Sequence, residues 1–206
     1  MINKIQLQIG SLLVLITLFI ILAINVLYGT LQDFNNDVYR QVTYFINPVL
    51  TTVMIVITCS GEWFIYAPLS LLLLIIPNLR VKIGIPAASV LIISAVSNFL
   101  LKVLFAIERP DSYRLISAKG YGFPSGHAMI GVSFIGICAY LFLKYAYSKP
   151  LKTAVLFIST VFILLVGLSR IYLGVHSSTD ILGGYLAGLI ILIASTSIIE
   201  KTNMGK

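Results

Sequence analysis

The sequence predicts an all-α, polytopic membrane protein, with six transmembrane helices in one bundle and a short interfacial helix between the first two. Three observations predict it. Hydrophobic residues make up 59% of the 206-residue chain and charged residues only 10%, whereas an average soluble domain carries about 25% charged residues. The mean hydropathy is +1.02. The apolar runs are continuous, which favours spanning helices of about 20 residues over a membrane barrel, whose strands alternate outward-apolar and inward-polar positions. A single membrane-embedded domain, 1–206, is expected at this length. Its motif-bearing part runs from about 60 to 199.

Residues 7–28 are apolar apart from Gln8, Asn25 and a few small polar side chains, the length a bilayer requires at about 1.5 Å of rise per residue. This is the first span rather than a signal peptide, since no small-x-small cleavage site follows it. Residues 29–47 are polar with interleaved aromatics, and the apolar stretch from Pro48 to Ser60 is too short to span, so an interfacial or re-entrant helix is expected there. The second span runs from about Trp63 to Ile76, with Trp63 and Tyr66 suited to an aromatic belt. The third covers Ile83 to Ile107 and carries Lys102 near its end. A polar loop, Glu108 to Phe123, leads to the fourth span, about Ser125 to Phe142. The fifth is placed at Thr153 to Leu168, and the sixth continues from Asp180 to Ile199, beginning near His176. Cys59 is expected near an outer surface and Cys138 halfway down a span, so no disulfide joins them.

The net charge of +7 does not point to nucleic acid, because no basic run or soluble domain presents it. Its distribution is topological. With the N-terminus inside, Lys4, Arg80, Lys82, Lys144, Lys149, Lys152, Lys201 and Lys206 face the cytoplasm against the single acid Glu200, while the opposite side is neutral. The positive-inside rule then puts both termini in the cytoplasm. Two spans separate the Lys102-to-His127 segment from the Arg170-to-Asp180 segment, and two crossings return to the same face. The polar clusters therefore meet on the extracytoplasmic side.

Those clusters suit a phosphate ester, which needs its charge matched by positioned donors, an in-line nucleophile and an acid for the leaving oxygen. Lys102, Arg109 and Arg170 supply fixed positive charge, the two arginines with a fork that grips oxygens in bidentate fashion. Ser125 and Gly126 stand where the fourth helix opens and would aim free backbone amides outward. His176 and Asp180 are spaced i, i+4, so on a helical turn the carboxylate can hold one imidazole nitrogen and leave the other to attack phosphorus. His127 would protonate the leaving oxygen and then activate water. Singly, each residue has a plainer reading: a snorkelling lysine, structural ion pairs of Arg109 or Arg170 with Glu108, Asp111 or Asp180, or a Ser-Gly helix cap. Jointly those readings would need two histidines, three cations, an aspartate and a helix-opening glycine to share one face by chance.

At these residues the chain resembles the type-2 phosphatidic acid phosphatase superfamily, which also includes vanadium haloperoxidases and glucose-6-phosphatase. Three blocks carry the resemblance: KVLFAIERP from Lys102 to Pro110, PSGH from Pro124 to His127, and SRIYLGVHSSTD from Ser169 to Asp180. PSGH alone would be weak, but the three blocks with their spacings are specific. The resemblance implies metal-independent hydrolysis of a phosphomonoester or pyrophosphate, without a cofactor, through a phosphohistidine on His176. In it His127 is the acid, Asp180 orients His176, and Lys102, Arg109, Ser125, Gly126 and Arg170 bind phosphate.

A membrane-embedded site suits a lipid phosphate, and for so compact a chain the resemblance suggests undecaprenyl pyrophosphate, phosphatidylglycerol phosphate or phosphatidic acid. The expected partners are that substrate and the bilayer, with no nucleic acid and no obligatory protein partner. Two other readings stay open at this level: a phosphotransferase that passes the same phosphohistidine to an acceptor other than water, and a transporter or flippase that binds anionic headgroups without cleaving them. A transporter would have no use for the His-Asp pair plus a second histidine.

Overall fold

The computed structural model describes residues 4–110 and 114–204. Asp111 and Lys206, which entered the charge reading above, lie outside them. Among the described residues every regular element is helical. In order they are α1 (Lys4–Leu27), α2 (Gln32–Thr43), α3 (Pro48–Ser60), α4 (Trp63–Ile75), α5 (Pro77–Phe105), α6 (Gly126–Tyr145), α7 (Lys149–Tyr172) and α8 (Ser178–Met204). Five of these, α1 and α5 to α8, are long and apolar enough to cross a membrane; a sixth span arises if α2 and α3, bent by 119° at their break, count as one.

Local chemistry sets most boundaries. Asn47 caps α3 by accepting from Leu50 N at 2.9 Å, and Pro48 follows at the first helical position, where its missing N–H costs nothing. Several expected boundaries move. α5 begins at Pro77, before the expected Ile83, so Arg80 and Lys82 lie in a helical segment with π-type turns instead of a loop; their long stems let the charged ends reach outward without breaking the helix. α7 continues past the expected Leu168 to Tyr172. Ser169 and Arg170 therefore sit in its last turn, where Ser169 Oγ donates to Val166 O at 2.7 Å and Arg170 Nη1 donates to Thr58 Oγ1 at 2.7 Å. Polar groups satisfied this way leave no reason for the helix to stop.

α8 lies close against α6. A Cβ at Gly184 would stand 2.6 Å from Ser125 O, and one at Gly188 would stand 2.6 Å from Met129 O. This small-xxx-small pair lets two helix backbones meet where lipid offers no hydrophobic drive. The approach lets Ser125 N donate to Asp180 O at 3.0 Å, joining the start of α6 to the start of α8. Ser94 of α5 and Ser133 of α6 share a buried 2.6 Å hydrogen bond, beside a core of Tyr66, Val90, Phe134, Ile137 and Leu141. Large apolar side chains such as Leu13, Ile92, Phe99 and Phe157 stay exposed, as a lipid-facing surface requires. Cys59 and Cys138 are free thiols.

The bundle has two ends. At one, Gln8 Nε2 donates to Glu200 Oε2 at 3.0 Å and Tyr140 Oη donates to Glu200 Oε1 at 2.7 Å, which gathers the start of α1 with the ends of α6 and α8. At the other end lie the last turns of α5 and α7, the starts of α6 and α8, and the α3–α4 turn. That second end holds the polar clusters.

Candidate active site

The start of α8 organises the site. Ser177 Oγ accepts from Asp180 N at 3.2 Å, and Asp180 Oδ2 accepts from Ser177 N at 2.9 Å, the reciprocal pattern of a capping box. The same Oδ2 lies 3.2 Å from His176 Nδ1. His176 thus sits two residues before the helix, not on a helical turn as expected, and the cap brings the pair together. Asn35 of α2 reinforces the arrangement by accepting from Thr179 N at 3.0 Å and from Ser178 Oγ at 2.9 Å.

His176 is 2% exposed, and burial holds its imidazole well below the usual histidine range despite the opposing pull of Asp180. The ring is neutral at neutral pH. With its proton on Nδ1 toward the carboxylate, Nε2 carries the free lone pair. That atom faces Arg109 Nη1 at 3.0 Å.

Arg109 and Lys102 both bond backbone carbonyls beside the site. Arg109 also donates to Val175 O at 2.8 Å, Gly120 O at 3.0 Å and Lys119 O at 3.0 Å. Lys102 donates to Tyr121 O, and to Gly122 O at 3.4 Å. The 119–122 segment is folded over both cations because a flexible loop can bring carbonyl dipoles to charges that the buried surroundings cannot hydrate.

The other cations and donors keep spare capacity. Arg170 is buried and Ser125 has no exposed surface, yet Arg170 Nε and Ser125 Oγ have no hydrogen-bond partner among the described residues. A buried polar atom left so costs about 1–3 kcal/mol, a cost that an anion accepting from it would relieve. Asn98 of α5 donates to Pro124 O at 3.1 Å, which fixes the turn before α6. A Cβ at Gly126 would come within 2.9 Å of Asn98 Oδ1, so glycine lets the turn close against α5. His127 Nε2 lies 3.1 Å from Glu62 Oε1.

All eight residues singled out from the sequence gather at this end. Lys102, Arg109, Gly126, His127, Arg170 and His176 line a cavity of about 410 Å³, while Asp180 stands behind His176 and Ser125 behind Gly126. Among the described residues, no three His, Cys, Asp or Glu side chains are grouped to hold a metal ion. Four participants went unread in the sequence. Asn98 had a signal, since it is a polar residue in an apolar run four positions before Lys102 and shares its helix face. Thr58, Glu62 and Asn35 reach the site across distances that no local pattern encodes.

The chain as a whole has counterparts among known proteins. The family model of the PAP2 superfamily matches residues 83–204. The chain belongs to that superfamily. Phosphatidylglycerophosphatase B of Bacillus subtilis is 37% identical over 105 residues, which span 50% of this chain and 52% of that protein. The undecaprenyl-diphosphatase of Sulfolobus acidocaldarius is 32% identical over 91% of this chain and 93% of its own. Among solved structures, the transmembrane PAP2-type phosphatidylglycerolphosphate phosphatase from Bacillus subtilis superposes with a TM-score of 0.83 at 29% identity, over 92% of this chain and 96% of that one. Aquifex aeolicus LpxE gives 0.63 at 25% identity, over 80% and 95%. This PAP2 chain is a multi-pass membrane protein of a phosphatase family. Thr58, Glu62 and Asn35 all lie before the segment that the family model matches.

Proposed function

We propose that this protein hydrolyses a lipid phosphomonoester or pyrophosphate at the extracytoplasmic face through a phosphohistidine on His176. The observation that carries the reading is the His176 ring, held at Nδ1 by Asp180 and presenting a neutral Nε2 to a cavity lined by Lys102, Arg109, Arg170 and His127. In the first step the Nε2 lone pair forms the P–N bond. The P–O electron pair departs onto the leaving oxygen, which takes a proton from His127. In the second, neutral His127 accepts a proton from water as the water oxygen attacks phosphorus, and the P–N pair returns to Nε2. Arg109 must exchange His176 Nε2 for phosphate oxygens before the first step, which charge-assisted bonds to the substrate favour. Arg170 Nε, Ser125 Oγ and the amides that open α6 complete the anion site.

Relatives named for phosphatidylglycerophosphate and undecaprenyl diphosphate support a lipid substrate, and both remain candidates alongside phosphatidic acid. The experiment is phosphate release by detergent-purified protein from a panel of these lipids, with thin-layer analysis to reveal transfer to another acceptor. Activity on at least one lipid phosphate is expected to persist in excess chelator, because fixed cations already match the charge. An enzyme restored only by added Mg²⁺ would overturn the metal-independent reading.

The six-span bundle is supported by the path of the chain. Glu62 lies at the site end beside His127, while Leu73 packs on Gly84 near the start of α5. α4 therefore carries the chain from one end toward the other, although its 13 residues measure only about 20 Å. α2 and α3 lie at the site end as the interfacial or re-entrant pair. Positive-inside counting then places the termini in the cytoplasm and the site outside. Single cysteines test it on intact cells: an impermeant reagent should label position 119 and spare position 149, and the reverse pattern would invert the orientation.

A further inference from the structure

We infer that Glu62 is a positioning residue for the proton transfer, holding His127 as a charged acid through a carboxylate contact at one ring nitrogen that leaves the proton of the other to transfer. The inference rests on the reading of His127 as the acid and adds a residue from outside the three sequence blocks. The chain then has two histidine–carboxylate pairs in one site, Asp180 with His176 and Glu62 with His127, and the two differ in geometry.

Asp180 is bonded at Nδ1, the face of His176 away from the reacting nitrogen. Glu62 Oε1 instead stands 3.1 Å from Nε2 of His127, a nitrogen that is itself buried. A carboxylate placed there supports positive charge on the ring by Coulomb attraction and leaves the proton of the other ring nitrogen, Nδ1, as the one to transfer. Such support has a purpose in this cavity. Lys102, Arg109, Lys119 and Arg170 line it together with Cys59, His176 and the two members of the pair, so every other permanent charge there opposes a further cation on His127. Glu62 supplies the only carboxylate among the cavity-lining residues.

The backbone around Glu62 fits this task better than a capping one. Glu62 occupies the N-cap position of α4 but makes no side-chain capping bond. Its side chain is partly exposed to the cavity, and the His127 contact holds its carboxyl below the usual range, keeping it ionised. Gly61 brings the turn onto the ring: a Cβ there would lie 3.4 Å from His127 Cδ2 and 2.7 Å from a Val166 methyl. A carboxylate between two apolar helices is costly unless partnered, and His127 is the partner.

The test is Glu62→Gln in the full-length, detergent-purified protein, assayed as kcat/KM against pH with an alkyl phosphate lipid and with an aryl phosphate, whose leaving group needs no proton. The expected result is a loss of about tenfold to a hundredfold for the alkyl substrate, with its basic limb moved to lower pH, while the burst of aryl leaving group is nearly unchanged. Glu62→Asp should fall between Gln and the parent. Equal losses for both leaving groups with an unmoved limb, or no loss, would overturn the inference. If Glu62→Gln fails to fold, Glu62→Asp decides alone, since parental leaving-group sensitivity in it contradicts the role. His176→Ala and His127→Ala run in parallel separate the two levels. Hydrolysis surviving in His176→Ala removes the phosphohistidine reading itself, whereas a leaving-group effect in His127→Ala but none in Glu62→Gln removes only the role of Glu62.

Discussion

His176→Ala is expected to lower phosphate release by more than about 10⁴-fold with every substrate, whatever its leaving group. Truncation removes the only atom that can form the P–N bond, so neither a better leaving group nor a higher pH restores the covalent route. The fold should survive, because the capping box of α8 uses Ser177 and Asp180 and needs no imidazole. Arg109 also keeps three backbone carbonyl partners when the ring is gone. The measurement is phosphate release together with acid-labile phosphate trapped on the protein. Undiminished turnover in a folded His176→Ala protein would refute the mechanism, and a transporter would show no dependence of bond cleavage on this residue at all.

Asp180→Asn and Asp180→Ala should separate two functions of one side chain. One oxygen, Oδ2, accepts from Ser177 N and faces His176 Nδ1. Asparagine can put its carbonyl oxygen at that point, so the cap and the ring orientation persist while the negative charge is lost. Attack on phosphorus turns the ring into a cation, and its stabilisation by Asp180 disappears in the amide. The expected result is a fall in kcat of about 10²–10⁴-fold with thermal stability close to the parent. Alanine also removes the bond from Ser177 N, half of the capping box, adding a destabilisation of about 1 kcal/mol that a melting curve in detergent would register. Equal melting temperatures for the two variants would show that the Asp180 side chain does not stabilise the start of α8, and equal activity of Asn and the parent would show that its charge is idle.

The gathering of the candidate residues was legible in the sequence because most of them lie in local clusters. Lys102 and Arg109 straddle one helix end, Ser125 to His127 open another, and His176 and Asp180 are four residues apart. Apolar segments between such clusters have fixed lengths, and crossing parity alone sends the clusters to one face. The same locality made α1, α5, α6, α7 and α8 readable as long apolar runs. The boundaries at Pro77 and Tyr172 were not readable, because they depend on whether Arg80, Lys82 and Arg170 find partners or an escape route, and that is settled by neighbouring helices.

What the sequence by itself determined is therefore the class of the protein and the convergence of eight candidate residues, since these follow from hydropathy, spacing and the number of crossings. What the tertiary structure alone decided is how those residues are held. The capping box rather than a helical turn pairs Asp180 with His176, the 119–122 carbonyls occupy Lys102 and Arg109, and the glycines of α8 let Ser125 reach Asp180 O. Thr58 reaches Arg170 across 112 residues of chain, and Glu62 reaches His127 from the far side of the whole α4–α5 excursion. Contacts of that kind arise from packing one helix end against another, and a polar residue beside an apolar run carries no record of which distant partner will satisfy it.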